Sequence, residues 1–222
     1  MKKFFLDLFF PIHCLGCGCE GQFICLDCFN QMPLNKKPLF RFGRESALNG
    51  LIIASHYEHP IIKQAIHRYK YDFVKDLAKP LGQLMALAIA KQSQKTFTDS
   101  DNTILIPVPL HKKRLRWRGF NQAFLLTEQI SQKLEIPIPI NKDILMRKKY
   151  SLPQVQIKNA KERKENIKES FCINPDFKDN LENKKIILID DICTTGATLE
   201  ECALALRPFK PKQIWGLILA RG

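Results

Sequence analysis

Two groups of residues in this 222-residue chain have the types and spacing to do chemistry. In the first, over residues 184–199, an apolar run (186–189) leads into two adjacent carboxylates, Asp190 and Asp191. Thr194, Thr195, Gly196, Ala197 and Thr198 follow. An unbroken apolar run predicts a parallel strand buried on both faces. Its carboxyl edge, where open α/β folds bind ligands, then carries the two acids. Gly196 lets the backbone approach a ligand, and a helix beginning there points unpaired N–H groups into the loop. Paired acceptors beside an amide-lined cradle suit a sugar phosphate with free hydroxyls. A core strand with two solvated aspartates and an ordinary helix cap is the plainer alternative. It leaves the shared register of run, acids, Thr-Thr-Gly and helix start unexplained.

The second group is Cys14-x-x-Cys17 and Cys25-x-x-Cys28, separated by seven residues. Four thiolates so spaced suit a tetrahedral Zn²⁺, closed to water and therefore structural. Cys19 competes with Cys17, and a redox dithiol or scattered buried cysteines are the other readings. Five of the eight cysteines lie between 14 and 28, which favours a metal site in a reducing compartment over a disulfide framework.

The elements that must position these groups follow from pattern. A 45% hydrophobic fraction supports one core, and the length leaves room for a small appended module. The expected division is a four-cysteine module over residues 1–35, with Phe4, Leu8 and Phe9 covering one side. A connector over 36–48 and an α/β domain over 49–222 follow. A strand is expected over 50–56, then helices over about 59–71 and 76–91. In the first helix Ile62, Ala65, Ile66 and Tyr69 face inward, while His67, Arg68, Lys70 and Lys75 lie outward. A second buried strand covers 104–108, and Asn121 caps a helix with Phe124, Ile130 and Leu134 inward. Cys193 and Cys202 are core fillers, and a last strand covers 214–220. Strand–helix alternation from residue 103 onward predicts a doubly wound, mainly parallel sheet.

Charge points to an anionic partner. The net charge is +13, and residues 101–170 alone hold fifteen Lys and Arg against seven Asp and Glu. One basic cluster is the loop after the second strand, with Lys112, Lys113, Arg114 and Arg118. The other is 147–170, with Lys148, Lys149, Lys158, Lys161, Arg163 and Lys164. Together with Trp117 and Tyr150 as stacking platforms, it can track a nucleic-acid backbone. Solvated basic turns and a disordered charged loop are the alternatives. No apolar run reaches the roughly 20 residues that span a membrane. The opening residues superficially resemble a signal peptide, but Asp7 interrupts a short apolar region and no small-residue cleavage site follows. A cytoplasmic protein, peripheral to the inner membrane at most through partners, is expected.

The acid pair and its loop resemble the phosphoribosyl pyrophosphate motif of type I phosphoribosyltransferases. The resemblance implies that Asp190 and Asp191 hold the ribose hydroxyls while 194–198 wrap the 5′-phosphate. It also implies that the Lys/Arg loop grips pyrophosphate and that 147–170 is a mobile lid. Val-Pro-Leu-His followed by Arg-Gly-Phe-Asn-Gln-Ala narrows the match, as do Leu145-x-Arg147-x-Lys149, Gln154, Arg163, Asn166 and Phe171. With the cysteine module and the Leu-Ala-Arg ending, nearly the whole chain resembles the ComF family of competence proteins. That family implies handling of incoming single-stranded DNA during natural transformation, alongside other DNA-uptake proteins. Two further functions remain open. One is an active phosphoribosyltransferase, in which Mg²⁺ bridges pyrophosphate and ribose hydroxyls and the two acids stabilise positive charge on the ribose. The other is a ligand-regulated scaffold for DNA-uptake proteins.

Overall fold

In chain order the computed structural model contains α1 (Leu26–Gln31), β1 (Leu39–Arg41), β2 (Gly50–His56), α2 (Pro60–Tyr71), α3 (Ala78–Ser93) and β3 (Thr103–Pro107). These are followed by α4 (Lys112–Arg118), α5 (Gln122–Lys133), β4 (Leu145–Arg147), β5 (Phe171–Ile173), β6 (Lys185–Cys193), α6 (Ala197–Leu206) and β7 (Gln213–Arg221). It describes residues 11–35, 39–43, 45–93, 102–135, 137–149, 165 and 167–222. Phe4, Leu8, Phe9, Tyr150, Gln154, Lys158, Lys161, Arg163, Lys164 and Asn166 lie outside them.

The five-stranded sheet has the order β1-β2-β7-β6-β3, with β2, β7, β6 and β3 parallel and β1 antiparallel at the edge. Strand β6 lies inside the sheet, which explains its unbroken apolar run. Ile187 and Ile189 pack with α2, α3 and α5 on one face. Ile186 and Leu188 pack with α6 and the β4–β5 ribbon on the other. All four are fully buried, and each contributes about 1.5–3 kcal/mol by leaving water. Helices on both faces of a mainly parallel sheet are the α/β architecture expected.

Details differ from the sequence pattern. The buried stripe of α5 is Ala123, Leu126, Thr127 and Ile130, and Phe124 is only half-buried, with the Lys142 ammonium 5.1 Å from its ring centre. Residues 39–41 of the connector pair with β2 as an edge strand. At the opposite edge, the Leu105 amide donates to Pro139 O at 2.9 Å and the Asn141 amide to Leu105 O at 3.0 Å. The connector is tied down at its far end as well. Glu200, in the first turn of α6, accepts from Ser46 Oγ at 2.7 Å and the Ala47 amide at 2.6 Å. Its carboxylate is therefore committed to residues 46–47 instead of opposing an anion at the helix start. The cysteine module shares the core of the body: Ile24, Cys25, Cys28 and Met32 join Ile61 and Ile62 of α2 in one apolar cluster. Ser55 Oγ donates to Pro33 O at 2.5 Å, and the Asn35 amide to Ala54 O at 2.8 Å.

Candidate functional site

Strand β6 runs past both acids to Cys193, so alternation along the strand sends them to opposite faces. Asp191 turns towards α2, where Lys70 Nζ stands 2.8 Å from its Oδ1. Asp190 turns towards α6 and β4, sharing its surroundings with Arg147 and Cys202. Each acid spends Oδ1 on its own backbone: Asp190 Oδ1 accepts the Asp191 amide at 2.9 Å, and Asp191 Oδ1 the Ile192 amide at 2.6 Å. Oδ1 of each acid is thereby engaged by the strand itself.

Burial, and after it the Asp191 charge, push the Asp190 carboxyl up to about 7, against the pull of Lys70 and Arg147. A folded-state value above the unfolded one means that the folded chain keeps a proton that the unfolded chain releases. Asp190 therefore subtracts stability progressively as pH rises from about 4 to about 7. Thermal melts at pH 5 and pH 8 should show a smaller difference for Asp190→Asn than for the native chain. For Lys70, burial works to lower the pKa, but the charge and hydrogen bond of Asp191 outweigh it and the net shift is upward.

The loop after the acids ends at Gly196, whose φ of +83° is the left-handed conformation that glycine adopts without strain. Gly196 is the N-cap of α6 and, having no side chain, makes no cap hydrogen bond itself. Within the loop the Ala197 amide reaches Thr195 Oγ1 at 3.4 Å. Thr195 is exposed, Ala197 buried, and Thr194, Gly196 and Thr198 intermediate. The structure thus collects residues 190–198 around one helix start beside the acids. Cys193 and Cys202 are core residues as expected, and burial raises the thiol pKa of both.

The basic segment expected as a loop is the helix α4. His111 caps it through Nδ1, which accepts from the Lys113 amide at 3.2 Å, and Gly119 ends it at φ +79°. A helix sorts the four cations by its period. Arg114 and Arg118, four apart, are partly buried and lie on the site side. Lys112 and Lys113 are exposed. Burial lowers the Arg118 pKa, and Asp191 acts against that. Arg118 Nε is buried with no hydrogen-bond partner among the described residues. Its guanidinium lies 5.9 Å from the ring centres of both Phe73 and Trp117, which themselves meet edge to face at 4.9 Å. Trp117 is 67% exposed.

Two site residues escaped sequence reasoning. Lys70, expected outward, is turned onto Asp191 because it sits in the last turn of α2, whose carboxyl end reaches the edge of the sheet. Arg147 closes β4 beside Asp190, with its guanidinium 5.3 Å from the Phe171 ring centre. Its place in the Leu145-x-Arg147-x-Lys149 pattern was the available signal. Strands β4 and β5 bracket the basic segment, and the Lys148 amide continues their pairing to Ser170 O at 2.8 Å. Both ends of that segment are therefore anchored near Asp190. Lys148 and Lys149 are exposed, and Lys149 forms a 3.7 Å ion pair with Glu169.

In the N-terminal module the donor atoms of Cys14, Cys17, Cys25 and Cys28 all lie within 4.8 Å of one another. Zn–S bonds of about 2.3 Å in a tetrahedron set sulfurs about 3.8 Å apart, and Cys17 Sγ and Cys25 Sγ are 3.6 Å apart. The Cys25 amide donates to Cys14 Sγ at 3.3 Å and the Cys28 amide to Cys25 Sγ at 3.4 Å, so the backbone already points donors at two of the sulfurs. The cluster can hold a metal ion, and Cys19 lies outside it. Among the described residues it is the one such grouping of metal donors.

The phosphoribosyl transferase domain model matches residues 121–221, which include the acid pair and its loop. Competence protein F of Haemophilus influenzae is 32% identical over 95% of this chain and 86% of its own length. Competence protein ComFC of Bacillus subtilis is 36% identical over 46% of this chain and 38% of its own. DNA utilization protein YhgH of Escherichia coli K12 is 27% identical over 70% of this chain and 65% of its own.

Proposed function

Since the chain belongs to the ComF family of competence proteins, we propose that it handles incoming single-stranded DNA during natural transformation, on the cytoplasmic side. In this reading its phosphoribosyltransferase-like domain binds phosphoribosyl pyrophosphate or a related sugar phosphate. The observation that carries the proposal is the relationship to competence protein F along almost the entire chain. The site supports it physically. The free Oδ2 atoms of Asp190 and Asp191 accept ribose hydroxyls, and the start of α6 receives the 5′-phosphate. Arg118 brings an unfilled buried donor for a further phosphate, with Arg114 beside it. Lys112 and Lys113, on the outer side of α4, extend the positive field towards solvent.

The Trp117–Phe73 pair offers π-faces to bases, and the cations of α4 with Lys148 and Lys149 offer partners to phosphates. No helix among the described residues is long and apolar enough to cross a membrane. Contact with the inner membrane would therefore run through other DNA-uptake proteins. Binding of a fluorescent oligonucleotide should weaken steeply with salt. Trp117→Ala should lose about 1–3 kcal/mol of that binding, roughly five- to a hundredfold, from one lost stacking face. Absence of binding by the native chain at low salt overturns direct handling of DNA.

The four cysteines fit Zn²⁺, and four thiolates leave it no open position, so its role is structural. Mg²⁺ would accompany the sugar phosphate beside Asp190 and Asp191, and the chemistry it would supply there is relief of charge on the leaving group. The second reading, an active phosphoribosyltransferase, is supported by Arg118, whose buried Nε has no partner among the described residues and would bind departing pyrophosphate. Release of pyrophosphate from phosphoribosyl pyrophosphate across a panel of nucleobases and amines supports it, and absence of release refutes it. A ligand that alters affinity for partner proteins without turnover identifies the scaffold reading.

A further inference from the structure

Asp191 is only 7% exposed, and a carboxylate so buried is costly unless a cation meets it. The cation in contact is Lys70, at 2.8 Å. Its position is fixed by the helix beneath it. Tyr69, 1% exposed, anchors the last turn of α2 by donating from its hydroxyl to Gln122 O at 2.8 Å. The carboxyl end of that helix also favours a positive charge. The oxygen that Lys70 engages is Oδ1, the atom that already accepts the Ile192 amide. One side of the carboxylate is thus fully occupied, and its plane and free oxygen are set by two contacts from different elements.

We propose that Lys70 is a positioning residue of the sugar-phosphate site: its 2.8 Å contact fixes the Asp191 carboxylate so that Oδ2 alone meets a ligand hydroxyl, while its own ammonium makes no ligand contact. The inference rests on the sugar-phosphate reading above. Lys70 also acts on the neighbouring acid, because its charge opposes the rise in the Asp190 pKa. The other charged or titratable groups facing the pair are Tyr69 and Tyr71 on α2, Arg118 on α4, Arg147 on β4, Cys193 on β6 and Cys202 on α6. Arg118 and Arg147 contribute at longer range, so Asp191 loses its contact cation, and Asp190 a nearby charge, when Lys70 is removed.

The test is calorimetry of ribose 5-phosphate and phosphoribosyl pyrophosphate between pH 6 and pH 9, with the native chain, Lys70→Met and Lys70→Arg. Lys70→Met should lose roughly tenfold in affinity or more near pH 6–7 and recover most of it by pH 9, with a fall in melting temperature from the unmatched Asp191 carboxylate that does not follow the same pH profile. Lys70→Arg should follow the native profile. Native-like binding by Lys70→Met at every pH overturns the proposal. So does an equal loss at every pH, which marks a direct ligand contact or a purely structural role. Carboxyl-carbon NMR supplies a readout without ligand: Lys70→Met should raise the Asp190 titration midpoint, and an unmoved midpoint also overturns the proposal. If the native chain binds neither sugar phosphate while the midpoint does move, the ligand reading fails and the electrostatic role of Lys70 stands.

Discussion

The double substitution Asp190→Asn with Asp191→Asn is expected to weaken binding of phosphoribosyl pyrophosphate by roughly a hundredfold or more. Each acid offers a ligand one carboxylate oxygen, Oδ2, because Oδ1 accepts a backbone amide. Hydrogen bonds to a charged acceptor contribute about 1.5–3 kcal/mol each, so above the Asp190 midpoint of about 7 losing the charge at two of them costs at least about 3 kcal/mol. At about 1.4 kcal/mol per tenfold, that is the hundredfold. The fold should persist. An amide oxygen can still accept the Asp191 and Ile192 N–H groups, and at position 190 the change removes a carboxyl that destabilises the chain once ionised. At position 191 it leaves Lys70 without its partner, so most of any fall in melting temperature should trace to the single Asp191→Asn variant. Calorimetry and thermal melts on both single variants and the double separate these effects. Native affinity in the double variant would falsify the site assignment.

The second large effect is expected at Gly16. A Cβ built there would lie 2.5 Å from Cys28 Sγ and 2.8 Å from Ile61 Cδ1, closer than side-chain atoms tolerate. Gly16→Ala must therefore displace either a sulfur of the cluster or the helix beneath it. Cys14, Cys25 and Cys28 are 4–6% exposed and belong to the same core as α2, so the damage reaches the body of the protein. A loss of about 3 kcal/mol translates into roughly 6–12 °C in melting temperature for a chain of this size. Metal analysis should give one zinc per native chain and markedly less in the variant. Chelation of the native chain should reproduce much of the thermal shift. A native chain that carries no zinc removes the metal assignment, and an unshifted melt removes the claim of a shared core.

Strand β6 was legible because burial on both faces of a central parallel strand leaves a run with no polar interruption. The four cysteines were legible because knuckle spacing is local. What stayed hidden depends on contacts between residues far apart in the chain. The period of α2 sets Lys70 at the flank of its buried stripe, one turn after Ile66, and only the approach of β6 makes that flank the site side. The helix α4 was hidden for another reason. It buries none of its residues, so it shows no apolar period, and a histidine caps it in place of the usual Ser, Thr, Asp or Asn. In α5 the capping residue was correct but the face was rotated. Thr127 is fully buried because its hydroxyl donates back to Ala123 O at 2.6 Å, while the bulkier Phe124 stays at the margin. Hydrophobicity alone misplaces such a pair. Residues 39–41 looked like linker because three residues amid Lys and Pro carry too little pattern to declare a strand.

Those three residues, with 139–141 at the far margin, have a consequence for how copies of the chain meet. A sheet edge with open N–H and C=O groups is a template on which another strand can grow. Here the outer side of β2 is occupied by β1, and Leu105 of β3 is engaged on both its amide and its carbonyl by the segment at 139–141. Polymerisation through the long central strands would first have to strip one of these two short guards. The guard at β1 is three residues long and offers little length for a further strand to join.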